Sequence, residues 1–265
     1  MTPPAGHAAP AILAFDIDGT VLGAGDVPVP GIAAALRELA AAGVLLVPVT
    51  GRPLHGALRA AAGLGIAPAA AVAYHGALVV DLPSGEWLRH LTLPPDLAAR
   101  LALGGLAAGL DASLYVGDER CDLHPGWAPD EAGGAAFAGQ APGVAGVTRL
   151  VLAGDPLRVT PALPELAGAR AAGLRIEPVR PGVVVVLPSG ADKGEGLRFA
   201  AAHLGVPRER IVACGDDLND VTLLGAAGHA VAVGDAAPPL RAAAAMTVPR
   251  HGLAAALLDA FALLG

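Results

Sequence analysis

Four short stretches of the chain carry residue types that can do chemistry at meaningful spacings. The first is Asp16-Ile17-Asp18-Gly19-Thr20. Carboxylates two residues apart project the same way from an extended backbone. Such close like charges are costly unless a cation or a proton compensates them; the competing reading is an Asx turn with two solvated acids. The second is Thr50-Gly51-Arg52, where a hydroxyl and backbone N–H groups at a helix N-terminus would form an anion site. Threonine is also a common N-cap, so this stretch alone is weak. The third is Lys193, in Ser189-Gly190-Ala191-Asp192-Lys193-Gly194. A cation opening a helix opposes the helix dipole, so its placement wants another reason such as a phosphate, or else it is a solvated surface lysine. The fourth is Gly215-Asp216-Asp217-Leu218-Asn219-Asp220. Asp216 and Asp220, one helical turn apart, share a face, and Asn219 offers a neutral oxygen and two donors. Acids at a helix N-terminus are also ordinary capping. The four together are far more specific than any one.

The elements that must position these residues are readable from apolar patterning. Ala11–Phe15 is a continuous apolar run ending abruptly in Asp16, as in a strand buried on both faces of a parallel sheet. Ile32, Leu36 and Leu39 recur at helical spacing and Gly43 closes that helix. Val44–Val49 is a second buried strand leading into Thr50, and residues 53 to 64 read as a helix. The pattern returns near the C-terminus: helix Lys193–Leu204, strand Ile211–Cys214, helix Asn219–Ala227, strand Ala230–Val233, a helix–strand unit over Pro238–Val248, and a helix Gly252–Leu264. This alternation predicts a doubly wound α/β domain, whose ligands lie beyond the carboxyl ends of the strands. The reactive stretches fall at such ends.

The middle of the chain differs. Pro83-Ser84-Gly85 and Val116-Gly117-Asp118 signal hairpins. Short strands (Leu114–Val116, Leu150–Ala153, Leu174–Val179, Val183–Leu187) mix with helices near 95–110 and 161–172, and the Gly/Ala/Pro-rich stretch 125–146 reads as loop. The chain is thus expected to be one core domain interrupted by an α+β insert, with Trp87 and Trp127 packed inside that insert.

Composition narrows the classes of partner. A length of 265 residues allows a substantial core. A formal charge of −7 with no Lys/Arg cluster argues against nucleic acid. Cys121 and Cys214 fit neither a disulfide framework nor a zinc signature and read as small apolar residues. Residues 1–10 read as a mobile Pro/Ala tail without the charged and apolar regions of a signal peptide. Apolar runs are broken before roughly eighteen residues, so no membrane span is expected and a cytoplasmic protein is the default. Nothing in the sequence chooses between a monomer and a homodimer.

In order and spacing, the four stretches resemble the motifs of the haloacid dehalogenase-like superfamily: Asp16–Leu22 (DIDGTVL), Thr50 in VTGR, Lys193 in ADKG, and GDDLND. Tyr74-His75-Gly76-Ala77 resembles the YNGA segment of the Cof-like branch, Val233-Gly234-Asp235-Ala236 its MGNA, and His251-Gly252-Leu253 its DGV. The resemblance implies a Rossmann-like core (11–82 and 184–265) carrying a C2-type α+β cap at 83–183. It implies hydrolysis of a small phosphomonoester, sugar phosphates first, with Asp16 as nucleophile through an aspartyl-phosphate and Asp18 as general acid and base. It further implies Mg²⁺ on Asp16, the Asp18 carbonyl and Asp216. Thr50, the Gly51 N–H, Lys193 and Asn219 would hold the phosphoryl oxygens, and Asp220 would orient Lys193 or a metal-bound water. His75 and Asp235 each replace an asparagine of the family; His75 reads as a loop side chain. A phosphomutase or phosphotransferase of the same superfamily is the second reading, and a non-catalytic binding module the third. The last predicts loss of a motif acid, and none is missing.

Overall fold

The computed structural model describes residues 10–126, 146–159 and 163–264. The tail 1–9, most of the 125–146 stretch with Trp127, and the start of the helix expected from 161 lie outside the described residues. The chain divides into two compact units, one formed by residues up to Arg89 together with Asp192 onward, the other by His90–Ala191.

The first unit is built on a five-stranded parallel sheet. Its strands are β1 (Ile12–Phe15), β2 (Leu45–Pro48), β11 (Ile211–Gly215), β12 (His229–Val233) and β13 (Met246–Val248), in the order β13-β12-β11-β1-β2. The first two are joined through α1 (Ile32–Ala41), and α2 (Leu54–Leu64) follows β2. After α6 (Lys193–His203) come β11, α7 (Val221–Ala226), β12, α8 (Pro238–Ala243), β13 and α9 (Leu253–Ala262). The chain winds outward one way from β1 and the other way from β11, so these two strands flank the switch point where open α/β sheets bind ligands.

Alternation along β1 explains the two layers. Ile12 and Ala14 enter one core with Leu197, Ala200, Leu223, Leu224 and Leu240 of α6, α7 and α8. Leu13 and Phe15 enter the other with Leu36, Leu64, Leu253 and Leu257 of α1, α2 and α9. A strand sandwiched between helices is apolar at every position, which is why these strands read as unbroken runs.

Two departures from the sequence reading have local causes. An antiparallel pair, β3 (Ala70–Ala73) and β4 (Leu78–Asp81), extends to β5 (Trp87–His90) in a separate three-stranded sheet. Ala70-Ala71-Val72-Ala73 has little intrinsic strand preference, and its state is set by pairing, including a parallel bridge from Val72 to Val49. Trp87 therefore lies on β5, not inside the insert, and is exposed. The helix expected from Asn219 instead starts as a 3-10 turn, Leu218–Asp220, because Asp217 and Asp220 form a reciprocal capping box there.

The second unit holds an antiparallel sheet in the order β7-β6-β8-β10-β9, formed by β6 (Asp111–Val116), β7 (Glu119–Leu123), β8 (Val147–Ala153), β9 (Arg175–Arg180) and β10 (Val183–Leu187). Its helices are α3 (Pro95–Ala107), α4 (Pro156–Val159) and α5 (Leu163–Ala171). Leu101, Leu166 and Ala169 from the helices pack on Leu114, Leu150, Leu152 and Val186 from the strands. Because β10 pairs with both β8 and β9, Val183–Leu187 belongs to this unit, which ends eight residues beyond the sequence-read limit of 183. Among the described residues no helix is long and apolar enough to cross a membrane.

Candidate active site

Asp16 is the first residue past β1, and its N–H still donates to the Cys214 carbonyl of β11 at 3.0 Å. That last rung of the parallel ladder brings the two strand ends together. Lys193, the first residue of α6, is only 2% exposed. Its ammonium donates to Asp16 Oδ1 at 2.7 Å and to Asp220 Oδ1 at 2.6 Å. A solvated surface lysine is therefore excluded. The other oxygen of Asp220 accepts the N–H groups of Asp216 and Asp217, both at 3.1 Å. Asp220 thus fixes the loop after β11 and the lysine at once.

Asp216 opens that loop, with Oδ1 accepting from the Thr20 hydroxyl at 2.8 Å. Gly19 turns beneath it at φ +86°, where a Cβ would lie 2.0 Å from Asp216 Oδ2. Only glycine lets the chain leave Asp18 so close to this carboxylate.

Burial dominates the electrostatics. It pushes the Asp16 carboxyl from its ordinary 3.8 up to about 7 against the pull of Lys193, and Asp220 and Asp216 add to the rise. Burial also raises Asp216, which Thr20 and Arg250 partly offset. Lys193 shifts upward: burial alone would lower it, but Asp16 and Asp220 together outweigh that. Asp16 and Asp220 share the one buried ammonium, and Asp216 beside them faces the half-exposed Arg250, so three acids meet two cations.

The remaining predicted residues are placed less uniformly. Thr50 is fully buried; its N–H donates to Val72 O and its hydroxyl accepts the Arg52 N–H at 3.1 Å. Gly51 lies under the His75 ring, where a Cβ would sit 2.3 Å from Nε2. His75 itself is held at φ 56°, with its N–H on the Thr50 carbonyl. Asp18 is exposed, and Arg52 grips both of its oxygens and reaches Asp26 as well. Asn219 makes no hydrogen bond to the cluster among the described residues, and its Oδ1 is buried without a partner. Asp235 is exposed, on the rim of a cavity of about 400 Å³ lined also by Gly234, Thr247 and Arg250.

Sequence reasoning missed the parts played by Thr20, Arg52 and Arg250. Thr20 and Arg52 lay inside recognised motifs and could have been read as supports for their acids. Arg250, which donates to the Gly19 carbonyl from 231 residues away, had no local signal.

A divalent cation suits this donor set. One oxygen each from Asp16, Asp216 and Asp220 lies within 4.8 Å of the others. All are hard carboxylate donors of the kind Mg²⁺ prefers. Asp16 Oδ2 accepts no hydrogen bond among the described residues, and the shortage of positive charge is the one such an ion would fill.

An acid–lysine centre at the switch point of a doubly wound sheet places the chain among α/β proteins whose ligand sites lie beyond the strand ends. Within that class, the chain belongs to the haloacid dehalogenase-like hydrolase family, which it matches over residues 13–121 and 151–257. It is similar to the 5-amino-6-(5-phospho-D-ribitylamino)uracil phosphatase of Bacillus subtilis, with 38% identity over 84 residues. That stretch spans 31% of this chain and 31% of that enzyme. Its fold is similar to that of a haloacid dehalogenase-like hydrolase from Bacteroides thetaiotaomicron, at a TM-score of 0.80 and 23% identity over 95% of this chain and 99% of that one. A subclass IIB sugar phosphatase aligns over 95% of this chain and 99% of its own, with TM-score 0.73 and 19% identity.

Proposed function

We propose that this protein hydrolyses small phosphomonoesters, with sugar phosphates the favoured class, through a phosphorylated Asp16. The observation that carries the reading is the buried Lys193 ammonium held between Asp16 and Asp220, with Asp216 beside them. A lysine fully removed from water against two acids suits binding of a dianion better than it suits stability, since buried ion pairs add little net stability.

In this reading a carboxylate oxygen of Asp16 attacks phosphorus while the bond to the leaving oxygen breaks. Asp18 gives that oxygen its proton, then removes one from the water that cleaves the acyl phosphate, regenerating Asp16 and releasing inorganic phosphate. Lys193, the Thr50 hydroxyl, the Gly51 N–H and Asn219 hold the phosphoryl oxygens, and positioning with charge stabilisation supplies most of the rate. Asp220 keeps Lys193 aimed. Mg²⁺, held by Asp16, the Asp18 carbonyl and Asp216, would offset the repulsion between carboxylate and phosphate. The inserted unit takes the family's cap role, choosing among substrates. The named activities of the Bacillus subtilis phosphatase and the sugar phosphatase support the substrate class.

The test is phosphate release from a panel of sugar and nucleotide monophosphates, with Mg²⁺ or with EDTA. Hydrolysis should need the metal and fall at least about a thousandfold in Asp16→Asn, because an amide is a poor nucleophile. An Asp16→Asn protein as fast as the natural one would defeat the covalent route. Isomerised sugar phosphate in place of free phosphate would reassign the chain to phosphoryl transfer.

A further inference from the structure

The charges around the acid cluster divide between two cations of different character. Lys193 serves Asp16 and Asp220 and is buried. Asp216 has a different partner. Arg250, in the 3-10 turn Arg250–Gly252 after β13, places Nη2 3.4 Å from Asp216 Oδ2, while its Nε donates to the Gly19 carbonyl at 2.6 Å. Its guanidinium passes over Gly234, where even a Cβ would come within 3.5 Å of Nε. The Arg250 side chain is 52% exposed, against 15% for Asp216. It can swing into water without uncovering core, which Lys193 cannot.

We propose that Arg250 is a resident counter-ion of Asp216 that a divalent cation must share or displace, and that it thereby sets the affinity of this site for metal. The inference rests on the reading of Asp16 and Asp216 as the metal site. With Asp16, Asp216 and Asp220 all ionised, Lys193 and Arg250 bring the sum to one negative charge; without Arg250 it is two. An incoming dication is therefore repelled by a guanidinium already seated on one of its ligands. The long, half-exposed side chain screens part of that repulsion, so the effect should be moderate and should shrink as salt is added.

The experiment is a titration of the full-length, metal-free chain with Mn²⁺, following free ion by its electron paramagnetic resonance signal, without substrate. Arg250→Gln keeps an amide donor for Gly19 but loses the charge; Arg250→Lys keeps the charge and alters the hydrogen bonds. Arg250→Gln should bind Mn²⁺ about tenfold more tightly at low salt, with the gain shrinking severalfold at high salt, and Arg250→Lys should stay within about threefold of the natural protein. A merely structural Arg250 would instead leave Arg250→Gln unchanged or weakened, and either result overturns the proposal. Asp216→Asn separates the two levels. If it binds Mn²⁺ as tightly as the natural chain, the metal reading itself fails. If it loses binding while Arg250→Gln gains none, only the role of Arg250 fails.

Discussion

Both units of this molecule contain an ion cluster on or beside a sheet, and the two have opposite characters. In the first unit Lys193, Asp16 and Asp220 are almost wholly withdrawn from water at the ends of parallel strands. In the second, Arg120 and Asp122 pair at 2.7 Å on β7, the edge strand of the antiparallel sheet, with roughly half of each side chain exposed. The lengths are the same; the environment is not. At the tips of β1 and β11 the packed helices leave Asp16 and Asp220 out of water, so the charge there has to be matched. An edge strand faces solvent, and water does the matching. What sets the first unit's cluster apart is that acids and ammonium are buried together at strand tips, where each must be matched by the other.

The sharpest way to break this contrast is to remove the buried ammonium. Lys193→Met keeps the stem's volume but leaves two buried carboxylates facing each other. It should cost about 3–5 kcal/mol in the urea transition of the first unit, the usual penalty for an uncompensated buried charge. A loss below about 1 kcal/mol would show that the acids shed their charge without strain and that Lys193 is no keystone.

A smaller effect follows from Asp16. Its folded value of about 7 exceeds the ordinary 3.8, so between these limits the native protein holds a proton that the unfolded chain has released. The unfolded state then binds fewer protons, and stability must fall as pH rises through that window and level off above it. In EDTA, the stability of the natural protein relative to Asp16→Asn should decline from acidic to neutral pH. Saturating Mg²⁺ should flatten the slope by supplying the missing positive charge. A constant difference across the window would place the charge on Asp16 at every pH tested.

The same contrast governs how much was legible beforehand. Ala11–Phe15 and Ile211–Cys214 announced themselves because both faces of their strands are buried, and with them came Asp16 and Asp216. Lys193 was conspicuous because it opposes a helix dipole. Glu119–Leu123, exposed at most positions, showed no apolar run and was missed as a strand. Ala70–Ala73 was missed because pairing with Leu78–Asp81, not composition, makes it one. Within the site, contacts local in sequence could be guessed. Arg250 on Asp216 could not, since a long side chain chooses its partner in space and leaves no period in the sequence.

The smallest predicted effect completes the comparison. On β7, Arg120 Nε donates to Asp122 Oδ1, which also accepts the Ser113 hydroxyl from β6. Both charged groups stay largely hydrated, so their Coulomb attraction is screened and ordering two side chains offsets much of what remains. A double-mutant cycle with Arg120→Ala and Asp122→Ala should give a coupling of about 0.2–1 kcal/mol that vanishes in high salt, several times less than the loss in Lys193→Met. A coupling above about 2 kcal/mol would mean that β7 is covered in solution, and that the edge of the second unit is no free surface.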